Sequence, residues 1–424
     1  MLFLLALTIR GMAFYLLSST NTGVESAHHE HASIAKSLAQ GRGFRFNFFG
    51  QIDAPSLTSI EAPLVPGLLA GCYYLFGIES PRATRAMLFV QIAVSAWTVV
   101  LLWWLAESVT GSKRAAWVTG LLATFYPPLI VSGLHIQAVG WNLFWLSLVL
   151  LSAVKFTQTR SSIHAGFFAL AGVGGLLTDP ILGLVLVLLL AYLRFWSSSN
   201  RIGWRMTACI AGLILLGISP WLARNALVHG RFVFIKDSFY YVLWQGNNEV
   251  SQGTDKLLVV EEAASQLRSA WNPLAANNTA AAIRRQAVSV NSCMSPAFIA
   301  ELQGLPGEIE RMDRFKPLAL QAVFGHPGRY LGLCIQRLGY WLWFDETNPR
   351  SHLWHYRLSY IALLGLVTMT GLLARRLQVK MSAIVLAVLG LSRARAGYHL
   401  RPFFAYRLKC SCFCRPPASA RFTH

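Results

Sequence analysis

The stretch TRAMLFVQIAVSAWTVVLLWWLA, residues 84–106, decides the class of fold. It is an apolar run long enough to cross the hydrocarbon core of a bilayer as a helix, which takes about 20 residues. Of the 424 residues in the chain, 54% are hydrophobic and only 13% are charged. A soluble domain has about 25% charged residues, so the sequence predicts an all-α polytopic membrane protein.

Other apolar runs predict further spans, at residues 1–17, 115–134, 140–156, 164–178, 181–196, 205–222 and 357–374. The first run lacks the basic start and small-residue cleavage site of a signal peptide, so we expect a retained span. Arg10 within it either snorkels to the interface or faces the protein interior. We expect about 9–11 transmembrane helices in all, with juxtamembrane helices beside them.

The basic residues follow the apolar runs, which explains the formal net charge of +19 without nucleic acid as a partner. Placing the loops that hold Lys113, Lys155 and Arg201 in the cytoplasm satisfies the positive-inside rule. The stretch 18–61, the connection around Asp179 and the long loop after Arg224 then face outward. This orientation requires residues 62–77, a short run with Pro63 and Pro66 at its start, to lie in the membrane plane.

Four regions follow from this pattern. Residues 1–222 form a membrane domain whose first external loop is 18–61, and residues 223–326 form an external mixed loop or soluble domain. Residues 327–392 contain the C-terminal membrane segments, and residues 393–424 form an atypical basic tail. Two interpretations of the tail stay open: a frameshifted or truncated end, and a genuine basic tail that binds anionic lipid.

The polar stretch HHEHASIAKSLAQGRGF, residues 28–44, comes directly after the first apolar run. It predicts an amphipathic helix over residues 26–39 that ends at Gly41, with Glu30 near its start at the membrane surface. The cluster of His28, His29, Glu30 and His31 has three interpretations. It is a solvated loop, a divalent-metal site of imidazoles and a carboxylate, or the place of a catalytic carboxylate.

Two later stretches also carry polar groups to the outer interface. In SPWLARN, Arg224 either anchors to lipid headgroups or binds a phosphate with its planar fork. In LWQGNN, residues 243–248, a polar turn follows a β-like run over residues 231–244. Most turns of this kind have no function beyond the turn itself.

Five segments in order resemble a known family: EHASIAKSLAQGRGF (30–44), EAPLVPGLLAGCYYLFG (61–77), SPWLARN (219–225), GRFVFIKDSFYYVLWQGNN (230–248) and HPGRYLGLCIQRLGYWLWF (326–344). Together they resemble the integral-membrane glycosyltransferases of family 39 and their bacterial relatives. These are the protein O-mannosyltransferases, the aminoarabinose transferases of lipid A and the Rgt-like lipopolysaccharide glycosyltransferases. The resemblance runs from about residue 3 to about residue 392 and implies the GT-C architecture.

The resemblance implies an inverting transfer of a sugar from a polyprenyl-phosphate donor to a lipid, polysaccharide or protein acceptor. It implies a multi-pass protein of the bacterial inner membrane with its site facing outward, and no cofactor, with a divalent metal left open. Glu30 is the expected catalytic base. The expected donor-phosphate and substrate-binding residues are Arg224, Asn225, Glu61, His29, Gln245, Asn247 and Asn248.

The sequence departs from the family pattern at one functional position. Many members have a second acid near the outer start of a later span, where GLHIQAVGW here offers His135 and Gln137. Two other classes of protein therefore stay open. A lipid-linked saccharide transporter or flippase would show polar groups deep inside its spans. A non-catalytic membrane scaffold would need no second acid.

Overall fold

A computed structural model describes residues 1–18, 29–46, 56–196, 202–259, 287–345, 347, 354 and 356–365 of the chain. The helices of the first part are α1 (Leu2–Ser18), α2 (His29–Ala39), α3 (Leu64–Phe76), α4 (Pro81–Thr110), α5 (Lys113–Phe125), α6 (Pro127–Ser132), α7 (Ala138–Thr159), α8 (Ser162–Leu176) and α9 (Leu182–Ala191), which continues as a π-helical turn (Tyr192–Trp196). Then follow α10 (Trp204–His229), α11 (Phe239–Asn247), α12 (Pro296–Gly304), α13 (Glu308–Leu320) with a π-helical turn (Gln321–Gly325), and α14 (Pro327–Leu342).

Strands are few in the described ranges. Two short antiparallel ribbons pair β1 (Arg45–Phe46) with β2 (Ser56–Leu57), and β3 (Lys256–Leu258) with β4 (Ala287–Ser289). The expectation of an all-α protein is therefore confirmed. His28, the first residues of the predicted 26–39 helix and the basic tail 393–424 lie outside the described residues.

Three helices of the described part, α4, α7 and α10, are long and apolar enough to cross a membrane. Four shorter apolar helices, α1, α3, α8 and α9, accompany them. Large apolar side chains on α10, among them Leu213, Leu215 and Leu216, are exposed. Exposed leucines on an apolar helix are what a lipid-facing surface requires, so these helices fit a polytopic membrane protein.

Glycines let α8 pack closely against its neighbours. A Cβ atom at Gly172 would lie 2.9 Å from Ile214 on α10, and one at Gly217 of α10 would lie 2.4 Å from Val173 on α8. The two helices thus approach through reciprocal small residues, which is how helices associate in lipid, where apolar burial gives little drive. This contact packs α10 against α8 at Ile214 and Gly217.

One predicted span differs from the structure. The run 115–134 forms two helices, because α5 ends at Phe125 and α6 begins at Pro127. A proline disfavours the helical conformation of the residue before it and has no N–H for the preceding turn. Tyr126 accordingly has an extended backbone, with ψ of 111°.

Arg10 faces the protein interior and is fully buried. Its Nε donates to Ser95 Oγ at 2.7 Å, and its guanidinium also donates to the carbonyls of Ala123 (3.4 Å) and Thr124 (3.5 Å). The last carbonyls of a helix lack partners inside that helix. Arg10 therefore caps α5 where the proline pair stops it.

The predicted β-like run over 231–244 is wrong, since residues 239–247 form α11. Aromatic and β-branched residues favour strands only weakly, and packing decides. Here Tyr241 and Trp244, spaced by three residues, place their rings 5.1 and 5.2 Å from the Phe315 ring on α13. Ile34 of α2 belongs to the same apolar cluster, which ties α2 to the external helices.

Candidate active site

Lys236 lies in the loop between α10 and α11 and interacts with the charges of three acids, Glu61, Asp179 and Glu30. These four residues are called the Lys236 cluster below. The Nζ of Lys236 lies 2.9 Å from Glu61 Oε2, and both side chains are largely buried. Burial works against the charged form, but the carboxylates of Glu61, Asp179 and Glu30 outweigh it and raise the pKa of Lys236. Glu61 contacts the ammonium directly, whereas the charges of Asp179 and Glu30 act on it through space.

Each acid reaches the cluster from a different element. Glu30 is half-buried in the first turn of α2, and Ile34 and Ala35, one turn further along that helix, are fully buried. Glu61 lies between β2 and α3. Asp179 lies between α8 and α9, where Asn142 Nδ2 and the N–H of Ile181 each donate to its carboxylate at 3.2 Å.

Glu30 also acts on the phenol of Tyr241 on α11. Burial and the charge of Glu30 raise the pKa of Tyr241, against hydrogen bonds from Asn291 and Gln245 that lower it. The Gln245 amide donates to Tyr241 Oη at 2.8 Å and to Asn291 Oδ1 at 2.9 Å. Of the predicted residues, Glu61 contacts Lys236 and Gln245 contacts Tyr241, while Glu30 acts on both groups by its charge.

Arg224, the expected phosphate ligand, binds the first external loop. Its Nη1 donates to the Thr58 carbonyl at 2.7 Å and to Ser59 Oγ at 3.0 Å, and its Nη2 donates to the Phe44 carbonyl at 3.2 Å. The guanidinium also stacks over the rings of Trp221 and Phe44, at 4.8 and 5.5 Å from their centroids. Its main contacts therefore hold the loop in place.

Asn225 has a comparable structural task and is fully buried. Its Nδ2 donates to the carbonyls of Val233 (3.4 Å) and Ile235 (3.2 Å), while its Oδ1 accepts from Ser59 Oγ at 2.8 Å. The side chain thus bonds the loop after α10 to the segment after β2. It thereby holds the backbone of Ile235, the residue directly before Lys236.

Asn247 is the last residue of α11, and Asn248 follows it. The Asn248 amide donates to the Trp244 carbonyl at 3.1 Å, which caps the helix. Asn247 Oδ1 accepts from Arg337 Nη2 at 2.8 Å, and its carbonyl accepts from Arg329 Nη1 at 2.7 Å. These contacts tie α11 to α14.

Two of the three clustered histidines lie in the described part of α2. His29 begins α2, and His31 is buried. Within the described ranges, which leave out His28, no group of three or more His, Cys, Asp or Glu residues is arranged to hold a metal ion.

Another buried acid, Glu308, binds the segment after β2. Glu308, at the start of α13, accepts from the Thr58 hydroxyl and, at 2.6 Å, from the N–H of Ser59. Burial raises the pKa of Glu308 to about 7, against these hydrogen bonds and the charges of Arg224 and Arg311, which lower it. Burial and the charge of Glu308 raise the pKa of Asp237 to about 7 as well.

A cavity of about 280 Å³ opens beside Glu308, between the β1–β2 ribbon, the end of α10 and the start of α13. Its polar lining comes from Arg45, Ser56, His229, Glu308 and Glu310.

The sequence reasoning missed Lys236 and Glu308 and left Asp179 outside the expected site. The signal for Lys236 was present, since a Lys-Asp pair stands alone after the apolar run RFVFI. Charged residues that interrupt apolar sequence near a membrane are functional candidates by default. Asn142 near the start of α7 donates to Asp179, so Asp179 lies close to that end of α7. The segment before α7, which contains Gln137, has no acid of its own.

The described part of the chain is an all-α protein with three helices long and apolar enough to cross a membrane, and with Lys236 and Glu61 paired between connections of the helices. No known protein family and no curated protein sequence matches the chain. A structural likeness is found to the crystal structure of ArnT from Cupriavidus metallidurans bound to undecaprenyl phosphate, at 14% sequence identity and a TM-score of 0.41. It covers 91% of this chain and 75% of that chain, and it concerns the chain trace alone.

Proposed function

We propose that this protein is a membrane glycosyltransferase of the GT-C type. It would move a sugar from a polyprenyl-phosphate donor to an acceptor hydroxyl on the outer face of the membrane. The observation that carries the proposal is the largely buried pair of Lys236 and Glu61, 2.9 Å apart, on which the charges of Glu30 and Asp179 also act. Acids and a cation that share a partly buried site beside membrane-crossing helices are typical of a catalytic centre. The five family-like segments support the same chemistry.

In the proposed reaction, Glu30 takes the proton of the acceptor hydroxyl. The acceptor oxygen forms a bond to the anomeric carbon while the bond from that carbon to the phosphate oxygen breaks. The bonding electron pair leaves with the polyprenyl phosphate, and the single displacement inverts the anomeric centre. A positioned general base contributes about 10²–10⁴-fold to such a step.

Lys236 is the proposed cation for the departing phosphate, in place of Arg224, whose donors already bind Thr58, Ser59 and Phe44. The lipid phosphate would compete with Glu61 for the Lys236 ammonium, which lies 2.9 Å from that carboxylate. Glu61 and Asp179 would then accept from sugar hydroxyls. A charge-assisted contact aimed at developing negative charge is worth about 10²–10³-fold in rate.

The remaining expectations belong to the same proposal. Gln245, held against Tyr241 and Asn291, and His29, at the start of α2, would border the sugar. Arg224, Asn225, Asn247 and Asn248 would hold the walls of the site. The acceptor is a lipid, a polysaccharide or a protein, and the proposed location is the inner membrane of a bacterium with the site outward.

The test is sugar transfer by the purified protein in liposomes supplied with pooled polyprenyl-phosphate sugars. Wild type, Glu30→Gln and a control, Glu79→Gln, are compared at equal folded amounts. Glu79 forms an exposed pair, at 2.6 Å, with Lys36, which lies on α2 as Glu30 does. Glu79→Gln therefore removes one negative charge near α2 and leaves the Lys236 cluster intact.

We expect transfer by wild type and Glu79→Gln and a loss of at least about 10²-fold in Glu30→Gln. Equal transfer in all three proteins would remove Glu30 as the base. No transfer by folded wild type with any donor of the pool would overturn the glycosyltransferase proposal in favour of a scaffold or transporter.

A further inference from the structure

Glu308 is a buried carboxylate that the proposed chemistry does not use. It lies in the first turn of α13, with only 4% of its surface exposed. Its two oxygens bind adjacent residues of one segment, the N–H of Ser59 at 2.6 Å and the hydroxyl of Thr58. A buried carboxylate is costly unless hydrogen-bonded, and here its bonds go to the segment that ends at Glu61.

The same segment is held from α10 on its other side. The Ser59 hydroxyl donates to Asn225 Oδ1 at 2.8 Å and lies 2.7 Å from His229 Nε2. Arg224 donates to the Thr58 carbonyl at 2.7 Å. Thr58 and Ser59 are fully buried between these contacts.

Residues 58–61 run beside residues 236–238, the segment that carries the cluster lysine. The Asp237 N–H donates to the Ser59 carbonyl at 2.9 Å, and Ser238 Oγ donates to the Ile60 carbonyl at 3.4 Å. At the end of this pairing the Lys236 ammonium meets Glu61. A displacement of Ser59 would therefore be passed to the distance between Glu61 and Lys236.

We propose that Glu308 is a positioning residue for sugar transfer. By binding Thr58 and Ser59 from α13, it keeps Glu61 in register with Lys236 beside Glu30. This inference rests on the proposed function. It also gives α13 a role in the reaction, because the bonds of Glu308 to residues 58 and 59 join that helix to the segment that ends at Glu61. A shift of about 1 Å in such a group costs about 10²-fold in rate.

The test compares Glu308→Ala, Glu308→Gln and the control Glu310→Ala in the full-length protein in liposomes. Alanine removes both bonds, whereas glutamine still accepts from the Ser59 N–H with its amide oxygen. Glu310 is two residues further along α13 and exposed. Two quantities are measured: the kcat and KM of transfer, and hydrogen–deuterium exchange of the peptide that covers residues 56–61.

We expect Glu308→Ala to lower kcat by about 10²-fold and to speed exchange in residues 56–61. We expect Glu308→Gln to retain most of the kcat and most of the protection from exchange. If the negative charge itself were required, Glu308→Gln would lose kcat as Glu308→Ala does. Glu310→Ala should match wild type. If Glu308→Ala does not fold, Glu308→Asp replaces it, since the shorter side chain cannot reach Ser59 and Thr58 together.

Faster exchange with an unchanged kcat would overturn the positioning role and leave Glu308 as a structural residue only. Unchanged exchange and unchanged kcat would overturn the contact as well. If folded wild type transfers no sugar, the proposed function fails first, and the positioning role fails with it. These outcomes are distinguishable because exchange is measured independently of transfer.

Discussion

The ammonium of Lys236 lies 2.9 Å from Oε2 of Glu61, although the two residues are 175 positions apart in the chain. This pair joins the loop after α10 to the segment after β2, and Glu30 and Asp179 add their charges to it. Lys236 is therefore the cation on which the charges of all three acids act, and Glu61 is the acid that contacts it.

Replacing Lys236 by glutamine should reduce sugar transfer by about 10²–10³-fold, because the phosphate loses its cation and the three acids repel one another. Lys236→Arg should retain part of the activity, since it keeps the charge but changes the donor geometry. Initial rates of transfer in liposomes measure both. The control is Lys36→Gln, since Lys36 forms an exposed pair with Glu79 at 2.6 Å. Exposed pairs of that kind contribute about 0–1 kcal/mol to stability. Equal losses of transfer in Lys236→Gln and Lys36→Gln would therefore contradict a specific role for Lys236 in the reaction.

Glu308 should make the stability of the protein fall as the pH rises. Its pKa is raised from 4.5 to about 7, so between these values the folded protein binds more protons than the unfolded chain. The free energy of unfolding therefore decreases from about pH 4.5 to about pH 7 and then levels off, by on the order of 3 kcal/mol for this shift. Glu308→Gln, which stays neutral, should show a smaller decrease.

The measurement is the Tm in detergent at pH 5 and at pH 7.5 for wild type, Glu308→Gln and Glu310→Gln. Asp237 has the same sign, with its pKa raised from 3.8 to about 7, so part of the decrease should remain in Glu308→Gln. The double variant with Asp237→Asn should be the flattest. A pH dependence identical in wild type and Glu308→Gln would contradict the raised pKa.

The sequence was sufficient for features that depend on neighbouring residues. Apolar runs predicted the long helices, and the amphipathic pattern predicted α2, which is followed by Gly41 with φ of +70°. The proline pair at 127 and 128 carried the signal for the break between α5 and α6, but apolar composition hid it. The helix α11 was missed because aromatic residues suit a strand as well as a packed helix.

Contacts across the chain were beyond reach of the sequence. The motif SPWLARN predicted that Arg224 anchors to lipid headgroups or binds a phosphate, yet its donors bind carbonyls of Phe44 and Thr58, up to 180 residues away. Glu308 binds Thr58 across 250 residues. A single sequence shows which residues are polar, but only the folded chain shows which of them already satisfy one another.

The close packing of α8 gives a prediction that is independent of function. A Cβ atom at Gly174 would lie 2.5 Å from Trp145 Cζ2 on α7. The indole cannot move away freely, because its Nε1 donates to Thr178 Oγ1 at 3.0 Å. Gly174→Ala should therefore destabilise the protein by about 1–3 kcal/mol, the usual cost of overpacking.

Gly166, on the same helix, is the matched control because a Cβ atom there meets nothing within 4 Å. Gly166→Ala removes a helix-breaking glycine without a clash, so it should be neutral or stabilising by up to about 1 kcal/mol. Thermal unfolding in detergent compares both variants with wild type. Because the two substitutions add the same methyl group to one helix, a lower Tm only in Gly174→Ala would assign the loss to the Trp145 contact. An equal Tm in both would show that α7 and α8 lie further apart than these distances require.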